Sequence, residues 1–244
     1  MRNLENTINN IFKNKKLKKA YFIFSILFII LFCINAFISN MYPYTWQNKL
    51  NSDEQNSRIE KKNDYAPPSN NQEIIFKDKH FEEVIKTVLK IEGKKIYNTD
   101  LEGIEKLDLN TLDIESVADI KYFPSLKILD LSRNHIKDLS GIDKLDNLEE
   151  LNLYGNKIDD IKLLSAMSKL KTLDLANNNI SDIDSLSNLY NLETVDLSFN
   201  KISNIEPLLN LRNLNTLDIS KNNIKSKDDI KKLSFVKNLY DWGN

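Results

Sequence analysis

The chain has one cysteine, five glycines, five prolines and two histidines in 244 residues. Each shortage excludes something. A single cysteine, Cys33, rules out an internal disulfide framework and any cysteine-based metal site. Five glycines leave few places for a phosphate-cradling loop, and no Gly-rich motif of that kind occurs. His80 and His135 lie far apart, and neither has a nucleophile elbow near it, so no catalytic triad is suggested. Asp-rich stretches such as Asp182-Ile-Asp184 lack the spacing of a calcium loop. A basic excess is missing too: from Glu73 onward there are 24 basic and 30 acidic residues, a net charge of about −6. Phosphate backbones bind basic surfaces, so nucleic acid is not an expected partner. No catalytic residue, metal or small-molecule cofactor is expected.

What is present falls into two patterns, an apolar run and a periodic array. Residues 1–19 are polar and basic, with Arg2, Lys13, Lys15, Lys16, Lys18 and Lys19 against Glu5 alone. Ala20 to Ser39 is then almost wholly apolar. Twenty helical residues span about 30 Å, the hydrocarbon thickness of a bilayer. The run is long for a cleaved signal peptide, no small-x-small site follows it cleanly, and Phe32 is too large to precede a lipid-modified Cys33. It reads as a single-pass signal anchor over 20–41. The lysines keep the N-terminus cytoplasmic, and Tyr42, Tyr44 and Trp46 supply an interfacial belt on the far side. Residues 42–72, with Pro67-Pro68 and no sustained periodicity, read as a flexible linker.

From Ile104 the chain repeats every 22 residues. Leu126, Leu129, Leu131, Asn134, Ile136, Leu139, Ile142 and Leu145 recur as Leu148, Leu151, Leu153, Asn156, Ile158, Ile161, Leu164 and Met167. The same frame continues through Asn178 and Asn200 to Asn222. A fixed period of this length means a solenoid, and LxxLxLxxNxI is the leucine-rich-repeat pattern. The alternation in LxL predicts a short strand with its leucines inward. The Asn marks the exit from the strand, where its amide can serve turn backbone groups. Apolar residues every third position afterwards suit a 3₁₀ or extended return. No single coil can bury enough alone, so stacking is the fold.

The ends differ from the middle. Phe81, Val84, Ile85, Val88 and Leu89 recur at helical spacing, with Asp78 as N-cap and Gly93 after the end. Residues 73–101 are therefore expected to form a helical cap over the first coil. Residues 102–244 hold six full repeats and a partial seventh. The first has Leu112 where Asn belongs, and the last has three extra residues in its return arm, with a helix start at Ser226. A seventh strand is expected near Leu239, with Trp242 closing the open end of the core.

Residues 73–244 resemble bacterial surface proteins with leucine-rich repeats of the internalin type. The segments FKDKHFEEVIKTVLKIEGKKIYNTDLEGIEKLDL and LKTLDLANNNISDIDSLSNLYNL look like that family's helical cap and its repeat. The resemblance implies an α/β solenoid with a curved parallel sheet, surface display, and protein binding through the concave face. Neither an LPxTG-like sorting signal nor cell-wall repeats follow the array, and the anchor is expected at the N-terminus instead.

The concave positions can be written out. Between the inward residues of each strand stand Asp108, Asp130, Asn152, Asp174, Asp196 and Asp218. At about 4.8 Å between strands, these form a stripe of near-contact carboxylates. It is either the ordinary dressing of this repeat or a recognition stripe for a basic partner or divalent cation. Beside it lie Ile128, Arg133, Glu150, Tyr154, Phe199 and Lys221, with Ile128, Tyr154 and Phe199 as expected anchors. The expectation is a membrane-anchored, extracytoplasmic module binding a protein, with a glycan as the lesser possibility. An alternative is an accessory or scaffold subunit of an envelope complex, its membrane helix also contacting partners.

Overall fold

The computed structural model describes residues 58–62, 70–91 and 93–244, all inside one compact unit, 54–244. The expected basic tail and membrane anchor lie outside the described residues, among which no helix is long and apolar enough to cross a membrane.

Eight strands form one sheet in sequence order: β1 (Ile59–Lys61), β2 (Ile104–Asp108), β3 (Ile128–Asp130), β4 (Glu150–Asn152), β5 (Thr172–Asp174), β6 (Thr194–Asp196), β7 (Thr216–Asp218) and β8 (Asn238–Tyr240). From β2 to β8 every pairing is parallel, and the register is the sequence period itself. Leu107 sits beside Leu129, then Leu151, Leu173, Val195, Leu217 and Leu239. Return arms between β2 and β7 are short 3₁₀ segments, as the three-residue apolar spacing predicts. Their starts are held by side chains: Asp138, Asp160, Asp182 and Asn204 each accept from the N–H two residues on, at 2.9–3.0 Å. The longer last arm becomes α3 (Lys227–Lys231), capped where Ser226 Oγ accepts from Asp229 N–H. The frame leucines and isoleucines join a single buried core running from Phe76 to Val236.

The asparagines tie the coils together. Asn178 Nδ2 donates to the carbonyls of Leu175 in its own coil and Leu153 in the one before, both at 3.0 Å. Its Oδ1 accepts from Ile158 N–H of that preceding coil, also at 3.0 Å. Asn134, Asn156, Asn200 and Asn222 bond their own and the preceding coil in the same way. In the first coil, Leu112 donates its own N–H to Asn134, and its carbonyl lies 3.1 Å from His80 Nε2 of the cap.

That cap contains α1 (Lys79–Leu89), started where Asp78 accepts from His80 and Phe81 N–H. Phe81, Val84 and Ile85 are buried against the array. The helix ends at Lys90 in the left-handed region, three residues before the glycine marked by the sequence. A one-turn helix, α2 (Asn98–Leu101), follows. Asp119, 1% exposed in the first return arm, fastens the cap by accepting from Lys77 and Asp78 N–H at 2.7 and 3.0 Å.

Two expectations need correction. The range 42–72 is not all linker: β1 lies antiparallel to β2, with Ile59 opposite Leu107 and a register break before Lys61. An exposed sheet edge presents unpaired N–H and C=O groups, and three residues suffice to cover some of them without leaving any periodicity. Trp242 does not plug the end of the core. It is half-buried and stacks edge-on against Phe199, centroids 6.1 Å apart.

Asn178→Ala is expected to lower unfolding free energy by about 3 kcal/mol, since buried N–H and C=O groups lose their partners. Urea denaturation checks it, and a loss below about 1 kcal/mol would show that water replaces the amide freely.

Candidate functional site

Two columns of side chains line the sheet face turned away from the core. The register places Lys106, Ile128, Glu150, Thr172, Thr194, Thr216 and Asn238 in one. Asp108, Asp130, Asn152, Asp174, Asp196, Asp218 and Tyr240 form the other. Just past the strands, a third row turns through the left-handed region in every coil: Thr111, Arg133, Gly155, Asn177, Phe199, Lys221 and Gly243. Five of these are not glycine, and each such residue carries backbone strain of about 1 kcal/mol.

The aspartate column faces away from the core yet has little access to solvent. Asp130, Asn152, Asp174, Asp196 and Asp218 are buried, while Asp108 is half-buried. Period-two alternation does turn them away from the core. Neighbours 22 residues away and the small side chains Ser132, Ala176, Ser198 and Ser220, themselves buried, leave them little contact with water. Each Oδ1 in the column, from Asp108 to Asp218, accepts the N–H two residues on, at 2.8–3.0 Å. Asn152 also donates to Asp130 Oδ2 at 3.1 Å. The stripe is thus part of the sheet's own hydrogen bonding. Among the described residues no group of three or more His, Cys, Asp or Glu is placed to hold a metal ion.

Burial pushes the carboxyls of Asp130, Asp174, Asp196 and Asp218 up. Asp196 reaches about 7, its burial reinforced by the charge of Asp218. Asp174 is driven upward by burial first and by Asp196 second. Near pH 7 Asp196 is therefore partly protonated in the folded chain, where an unfolded chain would have released the proton.

The remaining expected contact residues divide by exposure. Ile128, Glu150 and Tyr154 are half-buried, while Arg133, Phe199 and Lys221 are exposed. The structure brings them into two groups at the ends of the strands. The Arg133 guanidinium lies over the Tyr154 ring at 5.7 Å. Farther along, Lys221 Nζ lies over Trp242 at 4.5 Å, and Phe199 meets the same indole. Trp242 was not among the expected contact residues. The signal was available, because 242 is four periods after Tyr154.

A raised native pKa means the folded state binds protons the unfolded state lacks, so stability rises as pH falls from about 7 toward the ordinary carboxylate range. Asp196→Asn keeps the oxygen that caps Ser198 N–H and removes the ionisation, as Asn152 already does in its own coil. The variant is expected to be more stable than the parent above pH 7, with the gap closing as pH falls and gone only below the ordinary carboxylate value of 3.8. Thermal melts across that range measure it, and equal melts at pH 8 would contradict a buried shared charge.

A family profile for leucine-rich repeats (two copies) matches residues 124–166, 168–210 and 191–234. Among solved structures, an internalin (inlF) from Listeria monocytogenes is 33% identical with a TM-score of 0.64, the match covering 68% of this chain and 49% of that one. Internalin C2 (inlC2) from the same organism is 29% identical with a TM-score of 0.64, over 72% of this chain and 80% of its own. A leucine-rich-repeat protein of Leptospira interrogans is 26% identical with a TM-score of 0.51, over 63% and 38%. The chain thus spans about half of the inlF structure. No curated protein matches it. A 22-residue parallel register, 3₁₀ returns and an asparagine at each strand exit accompany these likenesses: the chain is an internalin-like leucine-rich-repeat protein.

Proposed function

We propose that Ala20–Ser39 anchors the chain in a membrane with its N-terminus cytoplasmic, and that the repeats stand outside the cell and bind a protein. The binding surface is the concave face of the sheet, at its β2–β4 end. One observation carries this reading. Along the first column Thr172, Thr194 and the buried Thr216 repeat one residue, whereas the half-buried Lys106, Ile128 and Glu150 differ in every coil. A repeat that departs from its own consensus at solvent-facing positions is shaped by something other than stacking. There Ile128 and Tyr154 offer apolar surface, Arg133 stacks on Tyr154, and charges of both signs flank them. Aromatic and Arg side chains ringed by polar groups are the composition of binding hot spots. The surface also sits on hydrogen-bonded strands, so little ordering is needed on binding. The apolar run and its basic flank support the anchor.

The test is capture of a cell-surface protein by the full chain and by an Ile128→Ala/Tyr154→Ala variant that melts like the parent. The double variant is expected to lose about tenfold or more in affinity, and undiminished capture would move the interface elsewhere. Protease added to intact cells should cleave the repeats; protection of residues 73–244 would overturn the topology.

A further inference from the structure

The turns that follow the strands form one edge of the array, and that edge is charged unlike the rest. Across 133–137, 155–159, 177–181, 199–203 and 221–225 stand Arg133, Lys137, Lys157, Lys201, Lys221 and Lys225, against the single carboxylate Asp159. The same positions in the first coil hold Asp113 and Glu115, so the basic run begins at β3. All six cations are exposed, on a domain that is net negative. Among the described residues Lys137 alone of the six has a carboxylate partner, Asp159 at 3.4 Å. Lysines on the other side of the strands behave differently: Lys127 pairs with Glu105 at 2.9 Å and Lys171 with Glu149 at 2.6 Å. Like charges gathered without counter-charges form a positive field that attracts anions.

At the β6–β8 end this edge has a shape. Lys201, Ser203, Asn223, Lys225 and Asn244 line an open pocket of about 690 Å³, with no aspartate or glutamate among its lining residues. Two residues before Lys201 and Asn244 come Phe199 and Trp242, the edge-to-face pair. Gly243 leaves room for Lys221 to lie across the indole, since a Cβ there would sit 2.8–2.9 Å from the lysine's Cδ, Cε and Nζ. Three kinds of group therefore meet: cations without carboxylate partners, amides and a hydroxyl that both donate and accept, and aromatic rings beside them. Lysines recognise acidic groups, amides and hydroxyls match sugar hydroxyls, and aromatic faces take the C–H face of a pyranose.

We propose that the strand-exit edge from β6 to β8 is a second binding site, for an anionic polysaccharide. Lys201, Lys221 and Lys225 meet its acidic groups, and Phe199 and Trp242 stack against a sugar ring. This site lies apart from the Ile128–Tyr154 surface, so the two can be lost independently.

The test uses the full chain in detergent micelles and isothermal titration with a size-defined heparin oligosaccharide at low salt. Polyaspartate and a single-stranded oligonucleotide of equal charge are titrated alongside. The oligosaccharide is expected to bind at least about tenfold tighter than either polyanion, and added salt should weaken it. Lys201→Gln/Lys225→Gln should lower its affinity about tenfold without moving the melting temperature, while Ile128→Ala leaves it unchanged. Phe199→Ala should narrow the gap between oligosaccharide and polyaspartate. Equal binding of all three polyanions would overturn the sugar assignment. No binding, or binding indifferent to the lysine pair, would overturn the site.

Discussion

Everything in the array depends on one side chain repeated at each strand exit. A strand of three residues leaves most of its coil's backbone groups without sheet partners, and those groups are buried among leucines. A buried, unpaired N–H or C=O costs about 1–3 kcal/mol, and the cost recurs in every coil. Asparagine supplies two donors and an acceptor on a short stem, so a single residue can serve its own turn and the coil before it. Asn134, Asn156, Asn178, Asn200 and Asn222 do this in succession. Because each bond crosses from one coil to the next, the column fixes register as well as satisfying polar groups. Leucine packing alone is less selective, since one leucine layer fits another nearly as well.

That fixed register has electrical consequences. Any residue type written into the repeat becomes a line of identical neighbours about one strand spacing apart. At the core positions this yields a hydrophobic column. At the aspartate position it yields a row of buried carboxyls, and burial first, then the charge of the next aspartate along, pushes Asp174 and Asp196 up. On one flank the chain avoids the problem by alternating Glu105, Lys127, Glu149 and Lys171, which pair two by two. At the strand-exit edge Lys137 alone of the six cations pairs among the described residues, with Asp159, and all six stand exposed. The same geometry thus gives a stabilised flank, a stripe of buried carboxyls and a positive edge.

Much of this was legible because the period and the register are the same number. Once Leu129 stands beside Leu151, every column follows, including the strand at Leu239 and the 3₁₀ returns. The caps at Asp78 and Ser226 were legible for a local reason, as a short polar side chain preceded a helical run. What escaped was long-range or conformational. Ile59–Lys61 is too short to show a pattern and exists because β2 has an edge to cover. Asp119 reaches backbone 41 and 42 residues away. The burial of the aspartates needed the neighbouring coil and the small residues beside them, which alternation within one strand does not contain. The left-handed row at Arg133, Asn177 and Phe199 is set by the turn, with residues that give no hint of it.

The most direct test of the central role of the asparagine column is native-state hydrogen exchange. Ile136, Ile158, Ile180 and Ile202 donate their amide protons to the asparagine of the following coil. If those bonds hold the stack together, these protons should exchange only through the opening that releases the strand amides of Leu151, Leu173 and Val195, with the same free energy. Exchange at the asparagine-bonded amides that is much faster, with the strand amides still protected, would mean that the side chains decorate a stack held by leucines alone.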